Sequence, residues 1–358
     1  MTEQQVGTPA FSVVPGATVH RCLAGRQHEV MDIVEQAYRL HGAGRTVNPP
    51  SYFLRFPDRP TARIIALPAS LGGEFGVDGL KWISSFPENL SHGIPRASAV
   101  LILNDARTGY PYACLESSII SAVRTAASAA VAARELTRDR PAPRRIGFVG
   151  TGLIARYLHD YLSVLGWDLT EVGVYDLSPA YAESFAGHLA DRTPQVPVRV
   201  HGSAEELVRS SDVVVFATTA STPHITDPDW FGHHPVVLHV SLRDLGHQVV
   251  EAACNVVDDV EHVLKADTSV HLVEQRTGSR DFIDGTLYDV LTGQVVVPAD
   301  RTVIFSPFGL GVLDLAVGHF THDRAARTDE LLRVDGFFHD VDRHRSPDPV
   351  GTPAGSDR

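Results

Sequence analysis

The chain has 358 residues, 43% hydrophobic and 21% charged, with a formal charge of −12. This is the composition of an ordinary globular protein of two domains or one large one. The acid excess argues against nucleic acid or an anionic membrane as partner. Cys22, Cys114 and Cys254 lie far apart with no C-x-x-C, which excludes a disulfide framework or zinc ribbon. The 18 histidines are scattered without ligand spacing, so no metal site is expected. No apolar signal core opens the chain and nowhere do ~18 apolar residues run together, so a cytoplasmic protein is expected.

Residues 1–27 mix Gly, Pro and polar residues and read as a ragged terminus. Over 28–44, Val30, Ile33, Val34, Ala37 and Tyr38 recur at helical spacing. Strand-like runs come next at 51–56, 62–69, 79–85, 97–105 and 110–116, with "DARTG" as a turn. They predict an antiparallel or mixed sheet behind one helix. A long Ala-rich helix is predicted over 117–137, and "RDRPAPRR" connects it to the second half of the chain. Beyond 145 the texture alternates buried strand and helix, which predicts a doubly wound parallel sheet of Rossmann type. Candidate strands are 145–150, 171–177, 196–201, 212–218, 235–241, 254–259 and 301–306. The apolar helix 312–325 is too long for a mere tail and is expected to return to the first domain, which is then discontinuous. The fold class is therefore α/β, a parallel sheet plus a discontinuous α+β domain. The polar, Pro/Gly-rich end, 341–358, reads as disordered.

"RIGFVGTGLIARYLHDYL" places Gly150, Gly152 and Ala155 as G-x-G-x-x-A after an apolar strand and opening a helix. The first glycine permits the tight turn, the second lets backbone approach a pyrophosphate, and the small third residue brings strand and helix together. Leu153 and Ile154 then offer helix N-terminal N–H groups to the phosphates. Asp176 ends the next strand, where an acid meets the ribose hydroxyls and repels a 2′-phosphate, so NAD is expected over NADP. The same aspartate would also serve as a helix N-cap. Thr218, Thr219 and Ser241 fall at the C-terminal ends of parallel strands, where ligands sit, although strand-end capping would also explain the threonines.

Of 31 basic side chains only Lys81 and Lys265 are lysine. Lys81 stands among Leu80, Trp82 and Ile83, and a desolvated lysine, unlike an arginine, can change its proton count. It is a candidate chemical group. Asp244 in "HVSLRDLG" lies just past a strand end, where a carboxylate could activate water or an amine, or merely shape a turn. Arg55, Arg96 and Arg124 taken singly read as surface cations. Together with Lys81 they could grip carboxylates facing the nucleotide.

"GLKWISSFPEN", "PRASAVLILNDARTGYPYACLESSIISAVRTAASAAVAARELT", "FVGTGLIARYLHDYL" and "SPFGLGVLDL" resemble the ornithine cyclodeaminase/mu-crystallin family over about residues 28–325. Within it, "KWISS", "RASAVLILND" and "RIIALP" are most similar to the dehydrogenases of 2,3-diaminopropionate biosynthesis. Those act on N-(2-amino-2-carboxyethyl)-L-glutamate in siderophore and peptide-antibiotic pathways. The resemblance implies a homodimer and a substrate-binding and dimerisation domain, 1–125, completed by 310–340. It implies an NAD-binding domain over 126–309. Lys81 matches the family lysine at the substrate, Arg124 the arginine that binds its carboxylate, Thr125 a neighbour of the cofactor, and Asp244 the catalytic aspartate. One departure is Ser51, where many ornithine cyclodeaminases carry an arginine; Arg55 is the nearest substitute.

The expected reaction is NAD-dependent oxidative hydrolysis of a small amino-acid derivative bearing several carboxylates. The alternatives are ornithine cyclodeaminase, an alanine dehydrogenase or ketimine reductase, and a non-catalytic mu-crystallin-like nucleotide binder.

Overall fold

A computed structural model describes residues 9–338; the expected tail, 341–358, lies outside the described residues. The chain begins with β1 (Ser12–Val14), α1 (Gly16–Leu23) and α2 (Gln27–Gly42). Six strands come next: β2 (Thr46–Val47), β3 (Tyr52–Phe56), β4 (Arg59–Leu71), β5 (Val77–Ser85), β6 (Ala97–Asp105) and β7 (Pro111–Glu116). After α3 (Ser118–Thr137) strand and helix alternate through β8 (Arg145–Val149), α4 (Leu153–Leu162), β9 (Glu171–Tyr175), α5 (Pro179–Arg192), β10 (Val198–Val200), α6 (Ala204–Ser210), β11 (Val213–Phe216) and β12 (Val236–His239). Then come α7 (His247–Ala252), β13 (Cys254–Val257), α8 (Val260–Val263), α9 (Ser269–Thr277), β14 (Ile283–Thr286), α10 (Leu287–Leu291) and β15 (Val303–Ser306). The chain returns through α11 (Gly311–Arg327) to β16 (Leu332–Arg333).

These strands make two sheets. The first has the order β16-β1-β7-β6-β5-β4-β2, with β3 also on β4. It is antiparallel except where β1 runs parallel to β7. Its inner face buries Leu101, Leu103 and Leu115, while Trp82 and Val100 stay exposed on the other, the alternation of a half-buried sheet. The second is wholly parallel, in the order β10-β9-β8-β11-β12-β15-β13-β14. Its central strands "VVVF", "VVLH" and "VIFS" are buried throughout, as strands covered by helices on both faces must be. The order reverses direction at β8, so a crevice opens outside the carboxyl ends of β8 and β11, the Rossmann-type nucleotide position.

Two features depart from the sequence reading. Residues 12–23, expected as ragged, form β1 and α1, with Val14, Val19, Cys22 and Leu23 buried. Three further strands beyond those expected, β2, β14 and β16, are two, four and two residues long. Strands of that length carry too little alternation to read, and they exist because a distant partner supplies the hydrogen bonds.

α11 packs across β4, β5 and β6 and against α2 and α3, so residues 311–327 lie on the first sheet. The sheets are also tied by His41 of α2, whose Nε2 lies 3.0 Å from Asp259 Oδ2 before α8. Among the described residues no helix is long and apolar enough to cross a membrane.

Candidate active site

Lys81 lies in mid-β5 on the inner face and is 2% exposed. A charge so placed requires a partner. Its Nζ donates to Asp314 Oδ2 at 2.7 Å and to Ser121 Oγ at 3.3 Å. Asp314 stands on α11 with no exposed surface, and its other oxygen, Oδ1, accepts from Arg124 Nε of α3 at 3.3 Å. One carboxylate thus holds two cations, leaving the triad one positive charge in excess. Burial pushes the Lys81 ammonium down to about 8; Asp314 pulls it back up and Arg124 adds to the lowering.

Arg124 reaches Asp314 through Nε, so its terminal nitrogens point elsewhere. They meet Gly309, beyond the C-terminal end of β15, where a Cβ would come within 2.4 Å of Nη1. Gly309 has φ +95°. Its N–H donates to Asp258 Oδ2 at 2.6 Å, and Phe308 N–H donates to Oδ1 at 2.9 Å. Asp258, buried past the end of β13, therefore anchors the loop that closes on Arg124.

The glycine motif occupies the β8–α4 turn. Gly150 has φ +88°, and a Cβ there would collide with Ala217 O at 2.7 Å. Gly152 caps α4 without a side chain, and nothing lies within 4 Å of where its Cβ would be. Open space at a helix N-terminus with unpaired N–H groups on Leu153 and Ile154 fits a pyrophosphate. Asp176, just past β9, accepts from Thr151 N and Oγ1 at 3.0 and 2.9 Å and from Ser178 N at 2.9 Å. It braces the glycine turn and keeps lone pairs for a ribose hydroxyl. These residues fit a dinucleotide with a free 2′-hydroxyl.

Asp244 lies beyond β12 and is wholly buried. Its Oδ1 accepts from Thr218 Oγ1 and its Oδ2 from Ser241 Oγ, and His239 Nε2 lies 3.3 Å from Oδ2. Burial pushes the carboxyl up, but the neighbouring His239 ring, which accepts from the Asp244 N–H at 3.2 Å, and the Ser241 and Thr218 hydroxyls win and hold it below the usual range. Leu242, in the left-handed region at φ +69°, turns the chain between Ser241 and Asp244. Asp244 is thus ionised, and an approaching water meets the Ser241 or Thr218 hydroxyl first. Thr219 is exposed, and Thr125 Oγ1 donates back to Ser121 O at 2.7 Å along α3.

Of the remaining cations, Arg96 Nη1 donates to Ser85 Oγ at 2.7 Å, and Arg55 is exposed with its guanidinium 5.1 Å from the Phe53 ring. Asp314, Asp258 and His239 escaped the sequence reading. Asp314 had the signal that flagged Lys81, a lone charge inside an apolar run, here "GVLDLAV".

Gly309→Ala puts a Cβ against Arg124 at a φ that L-residues rarely adopt. The expected result is a rise in substrate KM of about tenfold or more, corresponding to about 1.4 kcal/mol, with cofactor affinity kept. Steady-state kinetics beside a nucleotide fluorescence titration separate the two effects.

Comparison with known proteins identifies the family. The family model described as "Ornithine cyclodeaminase/mu-crystallin family" matches residues 19–329. An N-((2S)-2-amino-2-carboxyethyl)-L-glutamate dehydrogenase from Staphylococcus aureus is 29% identical over 84% of this chain and 92% of its own. An alanine dehydrogenase from Archaeoglobus fulgidus is 30% identical over 83% and 90%. A solved archaeal alanine dehydrogenase dimer with bound NAD superposes with a TM-score of 0.82 at 26% identity, covering 92% of this chain and all of that one. The protein is a member of the ornithine cyclodeaminase/mu-crystallin family.

Proposed function

We propose that this protein is an NAD-dependent oxidoreductase that acts on the CH–NH bond of N-(2-amino-2-carboxyethyl)-L-glutamate and hydrolyses the product imine. L-2,3-diaminopropionate and 2-oxoglutarate are released to a siderophore or peptide-antibiotic pathway. The observation that carries the reading is the meeting of the two sheets at the cationic triad. Gly309, past the carboxyl end of β15, packs on Arg124, and Asp244 lies past the carboxyl end of β12, the strand beside β15. A substrate held by the triad then faces the edge where the nicotinamide of a dinucleotide lies. The family and the Staphylococcus aureus relative support the same chemistry.

Gly150, Gly152, Leu153 and Ile154 would hold the pyrophosphate of NAD+ and Asp176 its ribose, Thr125, Thr218, Thr219 and Ser241 would line the nicotinamide half, and the cofactor would supply the hydride acceptor for the glutamate α-carbon. Arg124 pairs its free nitrogens with the carboxylate beside the reacting carbon. Lys81, with a pKa near working pH, removes the proton from the bridging ammonium so that its lone pair can drive hydride departure. Asp244 takes the proton of the attacking water through the Ser241 or Thr218 hydroxyl. Collapse of the carbinolamine breaks the C–N bond and releases the two products, with one NADH and one proton. Arg55 and Arg96 hold the further carboxylates. Residues 1–125 with 310–340 serve as the substrate and dimer domain, and 126–309 as the NAD domain.

The outer face of the first sheet exposes Tyr52, Leu54, Trp82 and Val100. An apolar face of this kind fits a second copy of the chain, and the archaeal alanine dehydrogenase is itself a dimer. Light scattering should give a mass about twice 38.8 kDa; a monomer would refute the homodimer.

The direct test is purified protein with NAD+ and the glutamate derivative, read by NADH absorbance and mass spectrometry. NADH and 2-oxoglutarate are expected, and their absence sinks the substrate reading. Proline and ammonia from L-ornithine, or pyruvate from alanine, would favour the other family activities. Asp244→Asn should lose turnover while keeping NAD binding; unchanged turnover refutes its role.

The Lys81 pKa fixes a pH profile. Below about 8 the side chain is charged and cannot accept a proton. kcat/KM for oxidation should therefore climb as pH rises through 8 and level off above it. Lys81→Arg keeps the charge but cannot titrate, so the limb should vanish and the rate fall by at least ~10²-fold. A profile that instead declines through 8 would show that the ammonium, not the free amine, is required.

A further inference from the structure

Three arginines gather on one face of the first sheet, a fourth from the loop beyond β12 acts on their charge, and none of the four forms a salt bridge among the described residues. Arg55 on β3 stands directly opposite Arg63 on β4, and Arg63 opposite Ser85 on β5. Ser85 accepts from Arg96 Nη1. The row is therefore Arg55, Arg63 and Ser85 across three adjacent strands, joined by Arg96 from the residue just before β6. Like charges directly opposite on neighbouring strands are unfavourable, and here one of them, Arg63, is half-buried while Arg55 is exposed. From the second sheet comes Arg243, next to Asp244, its guanidinium fixed by Ala266 O at 2.6 Å from Nη2 and 3.2 Å from Nε. Burial, then Arg243, Arg96 and Arg55 in that order, all lower the Arg63 pKa, and no acidic side chain offsets them. Arg243 itself has Asp267 and Asp244 nearby.

The row shares a face with the chemistry. Lys81, Ile83 and Ser85 alternate onto one side of β5, and their partners on β4 are Leu67, Ile65 and Arg63. Four residues of strand separate Lys81 from the Arg63 level, about 13 Å of backbone. The floor between them is Ile65, Ile83 and Ala99. This face of the sheet carries a cation at each end and apolar residues between, and Arg243, next to Asp244, acts on the charge of Arg63 at the far end.

We propose that Arg55, Arg63, Arg96 and Arg243 form a second anion subsite, which takes a carboxylate carried several bonds from the reacting carbon. It selects polycarboxylate substrates over compact amino acids. Arg63 and Arg243, one from each sheet, share that carboxylate, so its arrival draws the Asp244 loop down onto the first domain. The inference rests on the oxidoreductase reading above and deepens it by assigning how the extended substrate is told from a short one.

The test compares 2-oxoglutarate with 2-oxobutyrate, which lacks the second carboxylate, as ligands of the NADH-loaded protein. Affinities come from calorimetry, and NADH affinity itself reports folding. The wild type should favour 2-oxoglutarate at least tenfold. Arg63→Gln and Arg243→Gln should each erase most of that ratio, and Arg63→Lys should restore part of it. Discrimination that survives in Arg63→Gln, Arg243→Gln and the Arg63→Gln/Arg96→Gln double variant overturns the subsite and leaves the reaction assignment standing. A wild type that binds both acids equally overturns the subsite and the polycarboxylate reading together.

Discussion

A charge buried on three elements that are far apart in sequence governs this molecule. Asp314 lies 190 residues from Arg124 and 233 from Lys81 along the chain, yet its one carboxylate bonds both cations in a setting with almost no water. Leaving one such charge unmatched costs about 3–5 kcal/mol. Helix α11 must therefore come back from the second sheet and press its acidic position onto β5 and α3. The parallel sheet is an insertion in a domain whose electrostatics are complete only after the chain has left and returned. That return also brings the 306–311 loop, and with it Gly309, onto Arg124.

The triad is a compromise between stability and reactivity. A lysine matched one-to-one by a carboxylate would stay charged at any ordinary pH. Here Asp314 is shared with Arg124, and the second cation helps burial lower the ammonium to about 8. Asp244 lies at the other extreme, held ionised by hydroxyl donors despite its burial. Both shifts run downward, but they set opposite states: the lysine can lose its proton near neutral pH, while the aspartate stays ionised.

Long periodic elements were legible because local pattern and final environment agree. The helices 28–44 and 117–137 and the valine-rich strands carry their burial in their own periodicity. β1, β2, β14 and β16 do not, since strands of two to four residues are defined by a neighbour that the local sequence does not reveal. The glycine turn was legible because each glycine answers a local steric demand. Asp314 was visible only as an oddity, an acid in an apolar helix, and its partner could not be known before β5 and α11 were packed. Arg63 was hidden for another reason. It belongs to a row that exists only once register is known, since a shift of one residue would turn it to the opposite face.

The arginine row places strong positive potential inside a protein of net charge −12. The apolar Ile65, Ile83 and Ala99 between the row and Lys81 lower the local dielectric and strengthen that field along the sheet face. Without a ligand the guanidinium groups repel one another, and the fold bears that cost. An anion of the right length relieves the repulsion and gains paired hydrogen bonds in the same step. Binding energy released so far from the reacting carbon can be spent on holding that carbon over the nicotinamide, where it raises rate rather than affinity alone. A compact amino acid filling only the Lys81 end would leave the repulsion in place and the Asp244 loop undrawn. Selectivity and catalysis then come from one source, the unmatched charge on Arg63.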